Sequence, residues 1–147
     1  MDPNEKRKNW MGLLAKADPK LLASRFTAFG AVPEFTWLRA PEVGGTMVRG
    51  RMGGTGAPFN LGEMTVTRCS LRLASGQVGH AYVQGRDKTK ATQAAIVDAL
   101  MQSDQSDAVQ ATILAPLQKA RDLARATQAA KAAATKVDFF TMVRGED

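Results

Sequence analysis

Thr65-Val66-Thr67-Arg68-Cys69-Ser70-Leu71-Arg72-Leu73-Ala74-Ser75-Gly76-Gln77-Val78-Gly79-His80-Ala81-Tyr82-Val83-Gln84 is the stretch on which the fold turns. β-Branched and aromatic residues alternate with polar ones on both sides of Ser75-Gly76, the pattern of two antiparallel strands joined by a tight turn. Setting Ala74 opposite Gln77 places Leu73 against Val78, Leu71 against His80 and Cys69 against Tyr82. Those six side chains then share one face that is apolar near the turn, and Arg68, Ser70, Arg72, Gln77 and Gly79 take the other. Farther out the sides exchange character. Thr65, Thr67, Gln84 and Arg86 continue the Cys69 face, whereas Met64, Val66, Ala81 and Val83 lie opposite. A bulge would account for this, as would different packing partners at the two ends of the sheet; the second is the expectation here.

Working outward, residues 32–87 read as antiparallel strands: Phe35 to Arg39 closed by Pro41, Thr46 to Arg51, and the hairpin strands Glu63 to Leu73 and Gln77 to Arg86. Residues 4–30 read as two helices. Trp10, Leu13, Leu14 and Ala17 recur at helical spacing, and Asp18-Pro19 supplies an N-cap followed by proline at the first helical position. Gly30 is the stop. Residues 88–136 are helical again: Ala91, Ala94, Ala95, Val97, Ala99, Leu100 and Met101 form a compact helix. Beyond the polar Ser103 to Asp107 comes a longer one through Val109, Ile113, Leu117 and Ala120, with Pro116 as a kink or restart. Its Ala-rich continuation has high helix propensity and little bulk to bury. Residues 137–147 read as an apolar tail of strand character that docks on a partner. The fold class is thus α+β: one domain over residues 1–147, an antiparallel sheet with N-terminal helices and an Ala-rich helical C-terminal region.

The 147 residues suffice for one core, and 44% hydrophobic with 23% charged residues is a globular composition. No apolar run nears the roughly 20 residues that span a bilayer, and no signal peptide is recognisable at the start, so the expectation is a cytoplasmic chain without a membrane partner. Cys69 and His80 are the sole cysteine and histidine, which excludes an intrachain disulfide and a zinc site completed by this chain. Twenty Lys+Arg against fourteen Asp+Glu leave a formal charge of +6, which favours anionic partners. Aromatics amount to 6% and do not interleave with basic residues along any strand, so nucleic acid is not the expected partner.

Arg49-Gly50-Arg51-Met52-Gly53-Gly54-Thr55-Gly56 is the candidate anion site. On a strand Arg49 and Arg51 point the same way, and Gly53, Gly54 and Gly56 around Thr55 let backbone amides turn toward a phosphate. Guanidinium forks suit phosphate oxygens. The stretch is neither a Walker A loop nor a dinucleotide fingerprint; the plain alternative is a glycine-rich connection with two solvated arginines. Glu63, Thr67, His80, Tyr82, Arg86 and Asp87 could supply acid–base or hydroxyl chemistry. The ordinary reading of His80 is a partly buried, hydrogen-bonded core residue, and of Cys69 a small buried hydrophobe. No self-sufficient active site is legible, and catalytic residues are not assigned. Phe139, Phe140, Met142 and Val143 form the candidate partner interface, because a free apolar chain end is a liability unless covered.

Taken together, Trp10-Met11, Leu38-Arg39-Ala40-Pro41-Glu42, Met47-Val48-Arg49-Gly50-Arg51, Gly53-Gly54-Thr55-Gly56, Phe59-Asn60-Leu61-Gly62-Glu63, Thr65-Val66-Thr67-Arg68-Cys69 and Gly79-His80-Ala81-Tyr82-Val83-Gln84-Gly85-Arg86-Asp87 resemble the PhnG family. Val137-Asp138-Phe139-Phe140-Thr141-Met142-Val143-Arg144-Gly145 resumes the likeness, while residues between Ser103 and Thr135 carry little of it. The resemblance implies a subunit of the bacterial carbon–phosphorus lyase core complex. With its partners, above all a nucleosidase-like subunit, it would help displace adenine from ATP by an alkylphosphonate, giving a ribose 1-phosphonate 5-triphosphate. It further implies several copies per assembly, ATP as substrate of the complex, and no cofactor held by this chain alone. The alternative from a different class is a stand-alone basic module that binds nucleic acid or a phosphorylated ligand.

Overall fold

The computed structural model describes residues 2–30, 32–51, 56 and 58–145, and of 48, 51, 58–61 and 138–145 the backbone alone. Two helices open the chain. In α1 (Pro3–Lys16) the carboxylate of Asp2 accepts from the Asn4 amide at 3.2 Å, and in α2 (Pro19–Phe29) that of Asp18 accepts from the Leu21 amide at 3.3 Å. Proline follows each cap, where its missing N–H has no helical partner to lose and its fixed φ suits the first turn.

Among the described residues three antiparallel strands follow in the order β1-β2-β3: β1 (Phe35–Arg51), β2 (Pro58–Leu73) and β3 (Val78–Gln84). Pro41 does not close a strand, as the sequence suggested. β1 runs through it, with register shifts between Trp37 and Arg39 and between Arg39 and Glu42. An edge strand tolerates this because proline's absent donor is not needed on the solvent side, and the shifts absorb its fixed geometry.

The hairpin register differs by one residue from the expected one. The Leu73 amide donates to the Gln77 carbonyl at 2.8 Å, and the Gly76 amide donates back to the Leu73 carbonyl at 2.8 Å. The loop is therefore Ala74-Ser75-Gly76, with Gly76 at φ 104°, a conformation that suits glycine. Ser70 faces His80, Cys69 faces Ala81 and Leu71 faces Gly79. A one-residue slip turns every β3 side chain over. Gly79, Ala81 and Val83 point into the core, while His80, Tyr82 and Gln84 are exposed on the opposite face, so His80 is not a core histidine. The cause is the helix above. A Cβ on Gly79 would run into the Ala95 carbonyl and come within 2.9 Å of the Ala99 amide nitrogen, so only glycine fits there. With this register Thr67, Cys69, Leu71 and Leu73 join Gly79, Ala81 and Val83 on one buried face, and of the exchange of character along the hairpin there remains Val66, buried on the other.

That face is covered by α3 (Lys88–Leu100), capped by Asp87, whose carboxylate accepts from the Lys90 amide at 2.9 Å. Ala91, Ala94, Ala95 and Ala99 keep the helix surface low and let it approach the strands. α1 and α2 pack against α3, followed by the short α4 (Ser106–Val109) and a π turn (Gln110–Leu114). Leu14, Leu22, Leu71, Leu100, Ile113 and Leu114 are fully buried between these layers, each contributing about 1.5–3 kcal/mol.

Pro116 has no N–H for the carbonyl of Thr112, four residues back. The chain answers with the π turn, in which the Ala115 amide donates to the Gln110 carbonyl, and the Thr112 carbonyl accepts from Arg25 Nε at 2.9 Å. From there α5 (Ala115–Gly145) runs 31 residues. The tail from Val137 to Gly145 is thus helical, not a strand. No glycine or proline interrupts the chain between Leu117 and Gly145, and each residue added to an existing helix gains a hydrogen bond without a new nucleus. Residues 122–137 are exposed throughout, so α5 leaves the body after its first turns.

Candidate functional site

β3 stops at Gln84, opposite Val66, while β1 and β2 continue pairing from Gly45↔Thr65 to Arg51↔Pro58. This two-stranded ribbon carries the Arg/Gly stretch away from the helices. Arg49 is exposed opposite Asn60, and Arg51 ends the strand opposite Pro58. The Arg51 side chain, and Gly53, Gly54 and Thr55 entirely, lie outside the described residues; Gly56 sits in a bend between the strands. The ribbon is exposed at Met47, 53% accessible. The other sequence-derived candidates, Phe139, Phe140, Met142 and Val143, lie on the last turns of α5, and their side chains are outside the described residues.

The acid–base candidates do not converge. Thr67 is buried and its hydroxyl donates to the Gly85 carbonyl at 2.7 Å. Asp87 is consumed as the α3 cap. Glu63 lies over Gly45, where a Cβ would collide with its carboxylate. His80 and Tyr82 stand on the open face of the sheet, and Arg86 is exposed beyond β3. Cys69 is buried, its thiol 3.4 Å from the Ala91 carbonyl, and burial pushes its pKa up to about 11. With His80 on the opposite face, the two cannot form a nucleophilic pair. Among the described residues, no three His, Cys, Asp or Glu side chains gather as metal ligands, and no helix is long and apolar enough to cross a membrane.

The most connected polar group was not singled out from the sequence. Asp98 is fully buried in α3 and every contact to it is a donor. Its Oδ1 accepts from Trp10 Nε1 at 2.8 Å and Arg7 Nε at 3.2 Å; Oδ2 accepts from Arg7 Nη2 and the His80 amide, both at 2.9 Å. The Val78 carbonyl accepts from Gln102 Nε2 at 2.9 Å. Asp98 of α3 and Gln102 just beyond it thus occupy the outer edge of β3 at Val78 and His80, which would otherwise be a template for another strand. The carboxylate raises the Arg7 pKa above its ordinary value through the hydrogen bond, against the opposing effect of burial. The signal in the sequence was a lone acid in the apolar run Ala94 to Met101. Lys90 is also buried and donates to the Ala15 carbonyl at 2.9 Å, and desolvation lowers its pKa. Both groups tie α1 to α3 and are structural.

Residues 5–145 match the family model described as phosphonate metabolism protein PhnG. The chain is also similar to the alpha-D-ribose 1-methylphosphonate 5-triphosphate synthase subunit PhnG of Rhizobium meliloti (strain 1021), 46% identical over 141 residues that span 96% of this chain and 90% of that protein. With nearly the whole length matched by both, the chain belongs to the PhnG family of phosphonate metabolism proteins.

Proposed function

We propose that this chain is a subunit of an assembly that makes ribose 1-methylphosphonate 5-triphosphate, and that it contributes architecture and anion recognition rather than a complete catalytic centre. The observation that carries this reading is the 46% identity, over nearly the full length of both chains, to a protein named as a subunit of such a synthase. In the reaction we propose, an oxygen of an alkylphosphonate attacks C1′ of ATP, the C1′–N9 bond breaks, and adenine leaves with a proton. The 5′-triphosphate is retained. The scattering of Thr67, His80, Tyr82 and Asp87 supports a division of labour in which a nucleosidase-like partner supplies the acid–base groups. Arg49 and Arg51, with Gly53, Gly54, Thr55 and Gly56 at the ribbon tip, are the proposed anion-recognising edge. The complex works in the cytoplasm on ATP, with this subunit present in more than one copy.

Reconstitution from separately purified subunits tests the proposal by following adenine release from ATP and methylphosphonate. The chain alone should give none; omitting it should abolish release by the others. Arg49→Ala with Arg51→Ala should leave assembly intact and lower turnover at least about tenfold, the scale expected when charge-assisted phosphate contacts are lost. Adenine release by the isolated chain would overturn the division of labour. Full activity without the chain would overturn its membership of the synthase.

A further inference from the structure

Around Ser70 the sheet face turned away from α3 is open among the described residues, although Val66 farther along it is buried, and the observed register assembles there a cluster that the alternative pairing would split between two faces. Ser70 lies at its centre. Arg39 is its partner on β1, His80 its partner on β3, and Arg68 and Arg72 stand two residues away on either side along β2. Cross-strand neighbours on one face have Cβ atoms about 5 Å apart, and alternate residues along a strand about 7 Å apart. Three guanidinium groups and an imidazole therefore share one small patch. All four side chains are exposed, and none has an ion-pair partner among the described residues. Glu42, opposite Arg68, is the one carboxylate among the described residues of these rows. Beside the charges stand Leu38, 51% accessible, and Tyr82, 49% accessible.

Two features select the ligand. Like charges held this close repel one another, so an anionic surface is the complementary occupant. A small phosphorylated molecule calls for a concavity that removes it from water, and the concavity of about 460 Å³ that His80 and Tyr82 help to line opens toward α1, without Arg39, Arg68 or Arg72 in its wall. Arginine and tyrosine interspersed with accessible aliphatic groups are instead the residue types that anchor protein interfaces. We propose that this face docks an acidic surface of a partner protein, whose carboxylates pair with Arg39, Arg68 and Arg72 and whose apolar atoms cover Leu38 and Tyr82. The inference rests on the reading of the chain as an assembly subunit, and its test separates the two.

The full chain is co-expressed with the other synthase subunits as wild type, as Arg68→Glu/Arg72→Glu, as Arg68→Gln/Arg72→Gln, and as the control Lys16→Glu/Lys20→Glu, which changes net charge by the same amount elsewhere. Charge reversal should weaken co-purification about tenfold or more, neutralisation less, and the control little, with the wild-type interaction weakening as salt rises. Full assembly of the open-face variants, or equal loss in the control, overturns the proposal. If the wild-type chain joins no synthase subunit, the assembly reading has failed, and the face is tested alone by amide NMR during titration with poly-L-glutamate and, separately, inorganic triphosphate. Shifts from poly-L-glutamate centred on 68–72 and 78–82 uphold an acidic polypeptide as the occupant. Shifts elsewhere, none at all, or a stronger response there to triphosphate overturn it.

Discussion

Asp98→Asn removes a charge and reverses one end of the side chain while keeping its volume. All four groups around the carboxylate are donors, two to each oxygen, so the asparagine oxygen can serve one pair and its NH2 must confront the other. One member of that second pair belongs to Arg7, which is 33% exposed and can turn to water, so its share is discounted. The other is either the Trp10 indole or the His80 amide, and leaving such a donor unpaired costs about 1–3 kcal/mol. The remaining two bonds lose their charge assistance as well. The sum is about 3–5 kcal/mol, the range found when one partner of a buried ion pair is removed. At about 3 °C per kcal/mol for a chain of this size, the melting temperature followed by circular dichroism should fall by about 10–15 °C. Urea titration should give the same loss with an unchanged slope. A loss under about 1 kcal/mol would refute the reasoning, since it would mean that the buried donors find other acceptors.

Gly79→Ala should cost about 1–3 kcal/mol or more in the same assay, because the new methyl meets the α3 backbone instead of a side chain that can move; an unchanged melting point would place α3 farther from β3. Cys69 keeps its proton to about pH 11 in the folded chain and ionises near its ordinary value once unfolded, so its contribution to stability is full at neutral pH and is lost as pH rises from about 9 to 11. Cys69→Ala should flatten that part of the pH–stability curve, and an identical decline in the variant would refute it. Truncation before Val137 should leave the melting temperature within about 1 kcal/mol-equivalent of the full chain, because residues 122–137 are exposed. The same truncation should abolish co-purification with the synthase subunits, and retention would remove Phe139, Phe140, Met142 and Val143 from the interface.

The α+β class and the approximate order of elements were legible because they are written in local chemistry. Asp18-Pro19 announces a helix start, Gly30 a stop, and the alternation around Ser75-Gly76 a hairpin. The register was not legible from the hairpin alone. Two pairings one residue apart both gave plausible faces, and the arbiter was Gly79, whose missing side chain matters only once α3 lies over it. The bare-face cluster followed the same fate: Arg68 and Arg72 were placed together, but His80 was assigned to the other side. Val137 to Val143 read as a strand because β-branched and aromatic residues dominate it, whereas the helix already running through Ala134 carried on through them. Asp98 escaped notice because its four donors come from α1 and β3, elements remote from it in sequence or on another layer. Of the sequence-derived candidates, Arg49 is exposed on the ribbon, and Gly53 to Thr55 fall outside the described residues.

The π turn before α5 sets the aim of a long lever. A helix of 31 residues extends about 46 Å at 1.5 Å per residue. A rotation of only about 5° at its root displaces the far end by about 4 Å, nearly half the usual 8–10 Å separation of two packed helices. The direction of that lever is fixed by Leu114 and Leu117 seated in the core and by the bond from Arg25 to the Thr112 carbonyl. Arg25 lies on α2, far along the chain from anything at the helix tip. A substitution there would leave every residue of the far end unchanged and yet move all of them out of reach of whatever they meet.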